Sequence, residues 1–130
     1  MSVSNNFLRL GVLSALVGMT LGVWMGANEN FVLRPVHAHI NLIGFASMML
    51  FGLFYRSFPD AERGWLPKAH FVLSVFGFLI LMPSLALMLL GRPFFLPGMI
   101  ASEVMLVISM LLFVIIVFMA TLKKGGTAAA

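Results

Sequence analysis

The chain has 130 residues, of which 62% are hydrophobic and 9% charged, and it contains no cysteine. A mean hydropathy of +1.09 excludes an ordinary soluble domain, and the missing thiols exclude disulfides and thiolate metal sites. The formal charge of +4 is concentrated at the ends of apolar stretches, so it speaks to orientation in a membrane and not to nucleic acid.

Four apolar stretches, 7–27, 36–55, 69–91 and 96–122, follow one another along the chain. Each is about 20 residues or longer, enough to cross a ~30 Å hydrocarbon core at ~1.5 Å per residue. The first has a single basic residue, Arg9, near its start and is too long for the apolar part of a signal peptide, so it reads as a retained helix. It carries Ser14, Gly18, Gly22 and Gly26 at four-residue spacing, a stripe that lets another helix approach closely. Internal packing accounts for such a stripe without further function. Gly44 and Gly52, with Ser47 between them, do the same for the second helix.

The connections "NENFVLRP", "RSFPDAERGWLPK" and "RPFFLP" are short, which predicts antiparallel neighbours: an all-α, integral membrane four-helix up-down bundle. The domain is expected to cover 1–124, with 125–130 a flexible tail. With the N-terminus inside, Arg9, Arg56, Arg63, Lys68, Lys123 and Lys124 lie inside and only Arg34 and Arg92 outside. That bias predicts both termini on the cytoplasmic face of a bacterial-type inner membrane, with Trp24 and Trp65 near the interfaces. Pro83 is expected to kink the third helix.

The second helix opens on "LRPVHAHINLIGF", which sets His37, His39 and Asn41 at alternate positions. Successive helical residues turn by about 100°, so His37 and His39 point about 200° apart and cannot share one metal ion. Each faces a different flank, while Asn41 lies one turn from His37 on the same face. An isolated imidazole here is more often hydrogen-bonded to a loop carbonyl or water. A pair beside Arg34, in a helix with no other ionisable residue before Tyr55, points instead to cofactor ligands. Neutral imidazole is a good axial donor, and two give a low-spin electron-transfer haem. Arg34 is placed to meet a propionate, or is a solvated loop cation. Glu103, about one and a half turns into the fourth helix, is expected to be neutral, paired with Arg92 or Arg34, or bound to a histidine it orients. As an interfacial carboxylate near a helix N-terminus it needs none of these. His70 reads as interfacial.

"VHAHINLIGFASMMLFGLFYRSFP" resembles the His-x-His transmembrane helix in the catalytic subunit of haem–copper oxidases and nitric oxide reductases, and "LRPVH" is similar to the opening of a low-spin haem-ligand helix in one bacterial branch. The resemblance covers about one fifth of the chain. It implies that His37 and His39 ligate the irons of two haems, haem b in this reading, on either flank. The family's subunit has about twelve helices in three pseudo-equivalent arcs of four, so this chain has the size of one arc. It lacks the further histidines of the copper site and a clear counterpart of the family's tyrosine, so oxygen reduction by one chain is not expected. No catalytic residue is assigned; an oligomer with haem is the route to an oxidoreductase. Three copies would restore twelve helices, which makes a homotrimer the expected assembly, with membrane lipid around it and a quinol or a cytochrome as redox partner. A copper or zinc protein of metal handling or oxidase assembly, and a cofactor-free structural protein, are the alternatives.

Overall fold

The computed structural model describes the backbone of residues 2–127 and the side chains of residues 2–122. Among them four long helices and no strands are formed: α1 Val3–Ala27, α2 Arg34–Ser57, α3 Leu66–Leu89 and α4 Leu96–Thr127. All four are long and apolar enough to cross a membrane. The helix in α4 continues through 125–127, and residues 128–130 of the expected tail lie outside the described residues, as do the side chains of Lys123 and Lys124.

Local chemistry sets the helix ends. Ser2 caps α1 by accepting from the Asn5 amide. Pro35, Pro67 and Pro97 each fall in a first turn, where a missing N–H costs nothing. The end of α3 is a Schellman motif. Arg92 N donates to Leu87 O and Gly91 N to Met88 O, and Gly91 takes the φ of +64° that the motif requires. Between α2 and α3 a short 3-10 turn, Pro59–Glu62, folds back on α1, where Glu62 Oε1 accepts from Ser4 N at 2.7 Å and from Ser2 Oγ at 3.0 Å. A carboxylate there also meets the positive end of the α1 dipole.

Helix α2 departs from the regular helix expected. It is α-helical over Arg34–His39, π-helical over Ile40–Ser47 and α-helical again over Met48–Ser57. Ser47 Oγ donates to Leu42 O five residues back, a reach that fits the wider turn. The angular argument for the histidines survives, because both lie in the α-helical part. Pro83 sits inside α3, which runs without interruption from Leu66 to Leu89.

The helices pack as two hairpins, α1 against α2 and α3 against α4, with a thinner seam between the hairpins. Two apolar clusters bridge that seam. One joins Val3 and Phe7 of α1, Met48, Phe51 and Tyr55 of α2 and Ile116 of α4. The other joins Val36 and Ile40 of α2, Leu81, Met82 and Leu85 of α3 and Met99 of α4. Trp24 and Trp65 are exposed.

Candidate functional site

His37 lies between α1 and α2. Its Nδ1 is 2.8 Å from Gly18 O. A carbonyl only accepts, so Nδ1 carries the proton and Nε2 keeps its lone pair. The glycine stripe makes this seat possible. A side chain at Gly22 would begin 2.9 Å from His37 Cε1, and one at Gly18 would begin 2.7 Å from the Asn41 amide. Asn41 completes the clamp by donating from Nδ2 to His37 O at 2.9 Å, with the ring nitrogens 3.4 and 3.5 Å away. The stripe thus serves packing within the chain, as far as Gly18 and Gly22 are concerned. A side chain at Gly26, a turn further on, would begin with nothing within 4 Å outside its own helix.

His39 is half-buried on the other flank, and its Nδ1 lies 2.7 Å from Pro35 O in the same helix. The same reasoning fixes the same tautomer, with Nε2 free as a donor of electrons. Arg34 is exposed, its guanidinium 5.3 Å above the Phe31 ring. Glu103 is exposed on α4, and within one chain it meets neither Arg34, Arg92 nor a histidine. The expected pairing of Glu103 is therefore not made inside the chain, because its position turns outward from the α3–α4 contact. Among the described residues no three His, Asp or Glu side chains gather closely enough to hold a bare metal ion.

His70, expected at the interface, is instead fully buried, and so is Tyr55. The Tyr55 hydroxyl is 2.9 Å from His70 Nδ1, while His70 Nε2 has no partner. Phe51, Phe7 and Phe113 surround the imidazole with ring centroids 4.6, 5.0 and 5.1 Å away. The reason is the hairpin seam. The 58–65 connection returns the chain so that the first turns of α3 face the last turns of α2, and both polar rings turn inward to find each other. One feature of the sequence points to this pair: the single tyrosine and a histidine flank the same short connection.

No family model, curated protein or solved structure matches the chain. Chemistry at this site therefore rests on its own side chains. It offers two imidazoles of fixed tautomer on opposite flanks of one helix, and a separate buried phenol–imidazole pair.

Proposed function

We propose that this protein binds haem in the membrane through His37 and His39, for electron transfer or for binding a small gas such as nitric oxide. The observation that carries the reading is the shared state of the two imidazoles. Each gives its Nδ1–H to a backbone carbonyl and keeps an Nε2 lone pair. A carbonyl on the far nitrogen fixes ring orientation and raises ligand basicity. Haem asks for only one or two protein ligands because the porphyrin supplies the rest, whereas a structural zinc site asks for about four. The donors present suit the first demand, which is why haem b is preferred to copper or zinc.

In this reading the bundle runs up-down-up-down with both termini inside. The apolar clusters, which join the start of α1 to the end of α2 and the start of α2 to the later part of α3, support the alternation of direction, and the bias of basic residues supports the orientation. Opposed histidines leave each chain half-complete, so copies assemble with His37 of one facing His39 of the next, in a homotrimer that resembles the three arcs of the oxidase subunit. Arg34 pairs with a propionate, Asn41 positions His37, and Glu103 belongs to an interface between copies. A bound haem would cycle between two iron oxidation states with a quinol or cytochrome as partner. The purified protein is expected to show a Soret band and sharp reduced α and β bands. A preparation that lacks these bands and, after haem is added and the unbound haem removed, still lacks them overturns the reading.

A further inference from the structure

We infer that the fold is a two-body clamp in which the α1–α2 hairpin rocks against the α3–α4 hairpin, hinged at the Tyr55 end and opening at the His37 end. Three observations place the hinge. The only chain joining the two hairpins is the 58–65 connection, and it lies at the Tyr55 end. Among the described residues, the one hydrogen bond between the spanning segments of different hairpins is Tyr55 Oη to His70 Nδ1, at 2.9 Å. The other inter-helix bonds stay within a hairpin: His37 to Gly18 and Arg56 to Asn5 in the first, Ser74 to Ser109 in the second. The Glu62 bonds to Ser2 and Ser4 also tie the connection to α1 at the hinge end.

The rest of the seam is built to part. Midway along it, two half-open apolar grooves of about 300 and 220 Å³ flank the contact, and Met48 lines both. Met48 is a flexible thioether side chain that can follow a change in the width of either groove. Beyond it, the His37 end is closed by apolar contact alone: Val36, Ile40, Leu81, Met82, Leu85 and Met99 form a buried cluster with half-buried apolar residues such as Leu21, Leu33 and Phe94 around it, and among the described residues no polar tie and no crossing chain joins the hairpins there. Apolar contact is non-directional and can slide, whereas the phenol–imidazole bond has one geometry. In α2 the moving half also contains the π segment, where helical backbone is least regular. Since both histidines ride on the α1–α2 body, opening exposes their end of the seam to a ligand in the membrane. That use of the motion rests on the haem reading; the motion itself does not.

The absence of cysteine makes a direct test simple. Spin labels go on exposed positions in lipid nanodiscs: Leu42→Cys with Leu87→Cys toward the His37 end, and Leu53→Cys with Val72→Cys toward the Tyr55 end. Pulsed dipolar spectroscopy is expected to give a broad or two-peaked distance distribution for the first pair and a narrow one for the second. Equal widths overturn the hinge. Tyr55→Phe is expected to broaden the second pair, and an unchanged width there removes the hydrogen bond from its role as latch. Added haemin is expected to narrow the first pair. Persistent breadth with bound haem overturns the regulatory use alone, and absence of haem binding overturns the haem reading while leaving the hinge standing.

Discussion

A histidine in an apolar helix has two nitrogens to satisfy, and His37 and His39 each settle one of them on a backbone carbonyl. What remains is one Nε2 lone pair on each half-buried ring. For His37 the holding depends on glycine. An added methyl at Gly22 would sit 2.9 Å from Cε1, so Gly22→Ala must push the ring off Gly18 O. Overpacking of this kind costs about 1–3 kcal/mol. Gly26→Ala meets nothing within 4 Å outside its own helix and should stay within about 0.5 kcal/mol of the parent. Unfolding monitored by circular dichroism separates the two, and equal effects would show that the glycines act only as a general packing stripe. His37→Ala and His39→Ala should each abolish the haem spectrum while helicity is kept. A bis-imidazole spectrum in both variants would rule these residues out as ligands. At the buried pair the expectation is non-additive. Tyr55→Phe leaves His70 with no hydrogen-bond partner, at a cost of about 1–3 kcal/mol, whereas Tyr55→Phe with His70→Phe removes both polar groups and should recover much of the loss. A double-mutant cycle measures it, and strict additivity would mean that the two side chains do not interact.

At the scale of elements, the connection carrying Glu62 acts as a cap on α1. Glu62 accepts from Ser4 N and Ser2 Oγ across nearly sixty residues of sequence. Glu62→Ala should therefore cost about 1 kcal/mol, as loss of a cap does, and Glu62→Gln, which keeps an acceptor, should cost less. Protease cleavage near residue 63 is a sensitive readout, and identical rates in both variants would count against the cap. The four spans were legible because length and hydropathy alone define a membrane-crossing helix. Their ends were less so: the stretch read as 69–91 forms a helix over Leu66–Leu89, because Pro67 fits the first turn and Gly91 closes the last one. The π segment was not legible. In "INLIGFAS" nearly every side chain is apolar or small, so no periodicity reveals whether the turn is narrow or wide. The histidine pair was legible from spacing, and so was its opposed aim. The seat of His37 on Gly18 and Gly22 needed the helix register, which sequence does not carry. The burial of His70 was hidden for a related reason: its position near a helix start resembles that of an interfacial residue, and only the approach of α2 encloses it.

At the scale of the whole molecule, orientation and assembly bear on each other. If both termini are inside, the 58–65 connection is inside as well, and a cysteine placed in "DAERG" should be protected from an impermeant reagent added outside intact cells. External labelling would invert the arrangement and put the histidines at the opposite face. The proposed assembly starts from the same two imidazoles. One chain aims His37 toward α1 and leaves His39 on the other flank, so no single α2 brings both to one iron. A closed ring in which each interface joins His37 of one copy to His39 of the next satisfies every copy equally. Glu103 argues in the same direction, because an exposed carboxyl on the most apolar of the four spans is costly against lipid and is better covered by a neighbour. Symmetry permits two, three or four copies. The proposal takes three, because three copies would have twelve helices, the number in the subunit that the His-x-His helix resembles. Native mass spectrometry from a mild detergent is expected to show a trimer with haem retained, and Glu103→Leu, which leaves both histidines in place, tests whether that carboxyl contributes to assembly. A dominant monomer that still carries bis-imidazole haem would end the proposal, since a single chain would then be supplying two axial ligands that its own helix holds about 200° apart.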